Sequence, residues 1–197
     1  MKFRESGMPT MKVWNSFFYP DEVIKKMGVN QHINTFIDIG CGYGTFLVPA
    51  SEIIRGKAVG IDIDDKVLNE CREAIPKSKK EDIDLIIGDV TEKKTIEELE
   101  KYSGTIDYIS LFNMVHCEEP LKLLTAAYYL LSDNGILGIT HWIQDDTPRG
   151  PSMKIRPTPN QIKEWGKVVN FEFIKEVKLP PYHFGIVFEK KKHGSFE

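Results

Sequence analysis

Three glycines at alternate positions, Gly40, Gly42 and Gly44, follow an apolar run in the stretch "TFIDIGCGYGTF" from Thr35 to Phe46. Glycine enters backbone conformations closed to other residues and lets a neighbour approach the main chain. A loop of this kind between a strand and a helix also offers the free N–H groups of the helix start to a ligand. Asp38 sits on the strand just before the loop. A carboxylate there would repel a pyrophosphate and suit a cationic amino group. A second constellation lies on the far half of the chain: His116, His141 with Trp142, and Tyr182 with His183. A histidine at a reacting centre can exchange a proton near neutral pH.

Elements that could position these residues follow in a regular rhythm. "FIDIG" (36–40) has the pattern of a buried strand, and "GTFLVPASEIIRG" that of a helix with Pro49 in its first turn or at a kink. "KAVGIDI" (57–63) is a second strand and 64–75 a second helix. "DLIIGDV" (84–90) is a third strand, followed by a charged helix across 93–101. "IDYISLFNMV" (106–115), a helix at 119–131, the turn "SDNG" and "ILGITHW" (136–142) complete the alternation. Continuous apolar strands separated by helices imply a parallel sheet covered on both faces.

The rhythm then changes. "IQDDTPRGPSMKIRPTP" is a loop of functional length. A helix at about 159–169 follows, with Thr158 placed to cap it and Pro159 at its first position. "FEFIKEVKL" and "HFGIVFEKK" are too close in sequence for a crossover helix, so they pair as an antiparallel hairpin. The segment with Trp14, Phe17, Phe18 and a short helix near 20–28 lies outside the sheet pattern and is expected to cap one edge of the site. The expected organisation is one domain: a cap segment at 1–33, an α/β domain at 34–192 and a tail at 193–197.

Composition narrows the function classes. The formal charge of -3 over 197 residues argues against a surface that tracks nucleic-acid phosphates. "EKKKH" reads as a solvated strand end. No apolar run approaches the roughly 20 residues of a membrane span. "MKFRESGMPT" lacks the apolar core of a signal peptide. Cys41, Cys71 and Cys117 form no CxxC, so neither a disulfide framework nor a zinc cage is expected, and a cytoplasmic location fits. His116, Cys117 and Glu118 are adjacent and do not converge on one ion, so no metal is expected.

A dinucleotide loop needs GxGxxG, and here Thr45 stands where the third glycine should fall. "FIDIGCGYG" instead resembles the first motif of class I S-adenosylmethionine-dependent methyltransferases. "VGIDID", "IIGDV", "LFNMVH" and "LLTAAYYLLSDNGILGI" resemble the segments that follow in that family, so the resemblance covers residues 34 to 190. It implies a Rossmann-like, mostly parallel seven-stranded sheet of order 3-2-1-4-5-7-6, the last strand antiparallel, with helices on both faces. It implies S-adenosylmethionine as cofactor and S-adenosylhomocysteine as product. The loop Gly40–Gly44, with Cys41, would cradle the methionine part and place Asp38 near its amino group. Asp62, beside Ile63, would accept from the ribose hydroxyls, while Asp64 or Asp65 caps the next helix. Asp89 would accept from the adenine amino group, Val90 would pack on the ring, and Asn113 and Met114 would line the cleft.

Methyl transfer is an in-line displacement at a sulfonium, so the protein mainly positions two reactants. A base is needed only when the acceptor must lose a proton. No universal catalytic residue is expected; His141, His116 and His183 are candidates, each with a structural role as the competing reading. Arg149 and Arg156 either bind an anionic acceptor or are solvated loop charges. A Pro-Pro-aromatic motif marks amino-methyltransferases when it follows strand four; "LPPYH" precedes the last strand, so it reads as a rigid turn that can aim Tyr182 and His183 at the cleft mouth. The resemblance favours the small-molecule branch that includes the ubiquinone/menaquinone-biosynthesis type. The partners expected are a small-molecule acceptor, no nucleic acid and no membrane, with monomer and homodimer both open. A non-catalytic S-adenosylmethionine-binding partner protein and an NAD-dependent oxidoreductase are the alternatives. The N-terminal "FRESGMP" either closes over the cofactor or is a mobile tail.

Overall fold

Every residue of β1 (Thr35–Ile39) is buried, as befits a strand with parallel neighbours on both sides and helices over both faces. The computed structural model describes residues 9–191. All but the last residue of "FRESGMP", and the tail at 193–197, lie outside the described residues. Five parallel strands run β1, β2 (Lys57–Asp62), β3 (Ile83–Ile87), β4 (Ile106–Phe112) and β5 (Ile136–Trp142). The hairpin β6 (Phe171–Leu179) and β7 (His183–Lys190) adds an antiparallel edge, and the order is β3-β2-β1-β4-β5-β7-β6. This is the Rossmann-like sheet implied by the motifs.

Helices divide between the faces. α1 (Met11–Asn15), α2 (Pro20–Lys26), α3 (Leu47–Ile53) and α4 (Asp65–Ala74) cover one face, over a core that includes Ile24, Met27, Phe36, Leu47, Leu68 and Tyr108. α5 (Lys93–Leu99), α6 (Pro120–Leu130) and α7 (Pro159–Val168) cover the other, over Ile37, Ile109, Leu123, Leu137, Ile162 and Phe188. Pro49 falls in the first turn of α3, where the missing N–H is not needed. α2 is anchored by more than apolar packing: the buried Tyr108 hydroxyl donates to the Met27 carbonyl at 3.0 Å.

Several elements differ from the sequence expectation. The third strand ends at Ile87, not Val90, which leaves Asp89 in a turn. The fourth ends at Phe112, not Val115, because Asn113 takes a left-handed φ of 59° that no strand continues through. Before the expected short helix there is a second one, α1, whose five residues carry no strong sequence signal. Of the two cap candidates, Asp64 caps α4 by accepting from the N–H groups of Lys66 and Val67 at 2.9 and 3.4 Å, and Asp65 lies in the first turn.

The start of α7 is a capping box. Thr158 Oγ1 accepts from the Gln161 N–H at 3.2 Å and Gln161 Oε1 accepts from the Thr158 N–H at 2.9 Å. Thr158→Ala should therefore lower stability by about 1 kcal/mol in urea unfolding. An unchanged midpoint would show that the reciprocal pair contributes nothing.

Candidate active site

A cleft of about 390 Å³ opens beyond the carboxyl ends of β1, β2 and β4, the switch point at which open α/β sheets bind ligands. Gly40, Cys41, Gly42, Asp62, Ile63, Asp89, Val90, Asn113 and Met114 line it. Of the residues singled out for the cofactor, Asp38 and Gly44 stand behind this wall rather than in it.

The glycines serve the protein as well as the opening. Gly40, Gly42 and Gly44 have φ of 75°, 54° and 77°, a region that strains other residues. A Cβ on Gly40 would lie 2.1 Å from Met114 Sδ, and one on Gly44 would lie 2.8 Å from Cys71 Sγ. At these two positions the missing side chain makes room for protein sulfur. The loop is then pinned from β2: the Gly40 and Cys41 N–H groups donate to the Ile61 carbonyl at 2.7 and 3.1 Å. Asp62 completes the tie, with Oδ2 accepting from the Gly42 N–H at 2.9 Å and Oδ1 from the Asp64 N–H at 3.0 Å. Each oxygen keeps a second acceptor site toward the cleft.

Other polar groups differ in how well they are satisfied. Asp89 Oδ1 accepts from the N–H and hydroxyl of Thr91, both at 2.8 Å, which fixes its rotamer after β3. Asn113 is held in its left-handed turn by its N–H, which donates to the Thr140 carbonyl at 2.9 Å. Both polar atoms of its buried side-chain amide lack a hydrogen-bond partner among the described residues. Asp38 is 1% exposed; its Oδ1 accepts from Ser110 at 2.6 Å and its Oδ2 has no partner among the described residues. Burial pushes its carboxyl up to about 7, against the Ser110 bond and with a smaller contribution from Asp62.

The three candidate histidines part company. His116 is half-buried and lines the cleft. His141 is fully buried and does not line it; its Nε2 meets His116 Nδ1 at 3.2 Å and its Nδ1 lies 3.4 Å from the Trp142 carbonyl. Direct contact between His141 and an acceptor, one expectation for that strand end, is thereby corrected: the ring points into the layer beneath. His183 is also turned inward, between the rings of Phe18 and Trp142 at 4.4 and 4.2 Å. Burial, then Arg156, pushes it down to about 3. His183 is buried and does not line the cleft, so the turn at Pro180 and Pro181 does not deliver it to the cleft mouth.

Arg156 fits neither sequence reading. It is buried, and its guanidinium donates to the carbonyls of Ile143 (2.7 Å), Asp145 (3.1 Å) and Pro151 (2.8 and 3.1 Å) and to Thr147 Oγ1 (3.1 Å). It organises the 143–158 loop from inside, and Arg149, Gly150 and Pro151 of that loop form part of the cleft wall. Trp14 of α1 lines the cleft as well. The N-terminal segment is tied across the glycine loop: Tyr43 donates to the Pro9 carbonyl at 2.9 Å, and Thr45 to Asn15 Oδ1 at 2.7 Å. Phe46 and Phe112 also line the cleft; in sequence they are ordinary core residues, and nothing in their type or spacing marks them.

With this geometry in place, likeness to known proteins becomes informative. A family described as "Methyltransferase domain" matches residues 32–184, most of the chain. The crystal structure of a SAM-dependent methyltransferase from Aquifex aeolicus superposes with a TM-score of 0.78 at 21% identity, covering 96% of this chain and 100% of that one. A putative type 11 methyltransferase from Sulfolobus solfataricus superposes with a TM-score of 0.70 at 22% identity, covering 92% and 97%. A curated relative, the ribosomal protein L11 methyltransferase of Aquifex aeolicus, is 29% identical over 101 residues, which span 45% of this chain and 41% of that protein. This chain thus matches under half the length of that relative. The chain belongs to the methyltransferase-domain family. Its fold is that of the methyltransferases it superposes on. Among the described residues no helix is long and apolar enough to cross a membrane.

Proposed function

We propose that the chain transfers the methyl group of S-adenosylmethionine to a small-molecule acceptor bound in this cleft. The observation that carries the proposal is the set of unsatisfied and half-used polar groups at the strand ends: the Asn113 amide, the open sides of Asp62, and the buried Asp38 carboxyl behind them. These suit a ligand with hydroxyl donors and a cationic amino group, and they disfavour a pyrophosphate. The loop at Gly40–Gly44 with Cys41 holds the methionine part, and Asp62 accepts from the ribose hydroxyls. Asp89 receives the adenine amino group, with Val90 and Ile63 against the ring; Ile63 is 52% exposed, an apolar side chain left on the surface beside the cleft. Asn113 and Met114 border the methionine end. When bound, S-adenosylmethionine supplies a methyl carbon already activated by its sulfonium. The chain's own task is then to orient and enclose.

A small acceptor is favoured by the enclosure: Trp14 of the N-terminal segment and Arg149, Gly150 and Pro151 of the loop line the cleft together with the strand ends. The ubiquinone/menaquinone-type branch is a further expectation from the motif resemblance.

Calorimetric titration with S-adenosylmethionine, S-adenosylhomocysteine and NAD tests this reading. The first two should bind and NAD should not. Asp62→Ala should weaken binding at least about 100-fold, because ribose acceptors and the Gly42 anchor go together. Binding of NAD alone, or equal binding in the variant, would refute the assignment. Turnover to S-adenosylhomocysteine with candidate acceptors then separates an enzyme from a binding protein.

A further inference from the structure

Two kinds of chemistry divide the cleft. The carboxylates that line it, Asp62, Asp64 and Asp89, stand at and beyond the ends of β2 and β3. Toward β4 and β5 the lining changes to rings. Phe112 ends β4, Trp142 ends β5, and Phe46 and Trp14 join them from the start of α3 and from α1. These rings are held from behind. Phe18 is 7% exposed and does not line the cleft, yet its ring centroid lies 4.9 Å from that of Trp14, 5.1 Å from Phe46 and 6.4 Å from Trp142. Phe46 in turn meets Phe112 edge to face at 4.8 Å. All four distances fall in the range of favourable aromatic pairs. Core packing alone does not call for Trp14, which comes from a helix with no buried residue. One buried ring thus sets the directions of an aromatic wall.

The same end is positive. Arg149 lines it. Behind it the buried Arg156 guanidinium donates to backbone carbonyls and to the Thr147 hydroxyl. A Cβ on Gly150, a lining residue, would lie 2.9 Å from both that guanidinium and the Trp142 ring. The carboxylate that acts on Arg156, Asp146, is exposed and does not line the cleft. A charge beside buried aromatic rings is weakly screened. Burial first, and then Arg156, hold His183 low where its ring meets Trp142.

We propose that this aromatic end is the acceptor subsite, that it takes a flat aromatic molecule carrying a carboxylate or another anionic group, and that Phe18 shapes it as a positioning residue. The inference rests on the methyl-transfer reading above and adds to it the class of acceptor. A flat ring gains edge and face contacts with this wall that a saturated ring of equal size does not. A cationic acceptor would be repelled by Arg149, by Arg156 and, once the cofactor is bound, by its sulfonium; an anion is drawn to all three.

Saturation-transfer NMR and calorimetry on the full chain, saturated with S-adenosylhomocysteine, compare three probes: 2-naphthoate, decalin-2-carboxylate and 2-naphthylmethylammonium. The naphthoate should bind about tenfold or more tighter than the decalin, which has the charge without the flatness, and than the ammonium, which is flat with the opposite charge. Phe18→Leu should weaken naphthoate binding about tenfold while affinity for S-adenosylhomocysteine stays within about twofold, a split that general loosening of the fold does not produce. Trp14→Ala should weaken it as well, and it decides the matter if Phe18→Leu fails to fold. Absence of naphthoate binding, equal binding of the decalin, preference for the ammonium, or full binding in the variants overturns the proposal. Calorimetry with S-adenosylhomocysteine alone tests the underlying reading by itself. Silence there removes methyl transfer, and the same probes on the protein alone still decide whether this end takes flat anions.

Discussion

Asp38→Asn should make the cofactor-free protein more stable at pH 8 while weakening its hold on the cofactor. In the folded chain the Asp38 carboxyl is raised from 3.8 to about 7, mainly by burial. Folded protein therefore holds a proton that the unfolded chain has lost between about pH 4 and pH 7, so stability falls as pH rises through that window and is level above it. At about 1.4 kcal/mol per unit, the penalty at pH 8 is on the order of 4 kcal/mol. The amide removes it, since asparagine carries no charge to desolvate and can still accept from Ser110. For a chain of this size a gain of a few kcal/mol should raise the melting temperature by at least about 5 °C at pH 8. Near pH 3, below the unfolded value of 3.8, where both states of the wild type are largely protonated, the difference should nearly vanish.

In the proposed binding mode the same carboxyl would give the cofactor its countercharge. Binding of a cationic amino group favours the ionised form, so wild-type affinity for S-adenosylhomocysteine should rise with pH up to about 7 and then level off. In Asp38→Asn the affinity should be flat across this range and lower by about tenfold to 100-fold at pH 8, the span of one to two lost charge-assisted interactions. Melting curves at two pH values and calorimetry between pH 5.5 and 8 check both halves. A variant that is destabilised at pH 8, or a wild-type affinity indifferent to pH, would remove Asp38 from this role.

Asp38 also shows what the sequence could and could not convey. Its place before the glycine loop was legible, because strand, loop and helix are local patterns with strong turn chemistry. The parallel strands and the closing antiparallel hairpin were legible for a similar reason; the sheet order itself came from the resemblance of the motifs to a known family and not from the strand pattern. What stayed hidden depends on side-chain direction across distant elements. Asp62 was marked by the motif resemblance as the expected ribose acceptor, but its bond to the Gly42 N–H joins β2 to the loop after β1 and has no sequence signature. His141 and His116 are 25 residues apart and meet only because β4 and β5 are neighbours with parallel register. The inward turn of His183 follows from antiparallel pairing opposite Trp142. The packing of Met114 and Cys71 into the space beside two glycines is equally a tertiary fact. Gly40, Gly42 and Gly44 announced a close approach; which atom approached could not be read from them.

Arg156→Met should disorder the wall of the cleft and cost about 3 kcal/mol, the second large effect expected here. In a loop of such composition an arginine ordinarily points to water. Here the guanidinium replaces the missing secondary structure of 143–158 by donating to three backbone carbonyls and a hydroxyl. Methionine has similar length and no donor, so packing survives while those acceptors lose their partner. Acceptors in contact with water recover part of the loss, and buried ones cost about 1–3 kcal/mol each. That distinction decides between a total near 3 kcal/mol and a much larger sum, because the Ile143, Asp145 and Thr147 bonds are part-buried and the two to Pro151 are buried. Arg156→Lys should rescue little, since one ammonium cannot span Pro151 on one side and Ile143 on the other in the fixed fork that guanidinium provides. Gly150 adds a constraint: with φ of 117° and a Cβ site 2.9 Å from both the guanidinium and the Trp142 ring, the loop can close only around this arginine. Hydrogen exchange should therefore speed up across 143–158 in both variants while β5 and β7 stay protected. Unchanged protection in the loop would mean that its proline-rich sequence holds the shape alone. Coupled exchange across the whole sheet would mean that Arg156 supports the fold itself and not one wall of the cleft.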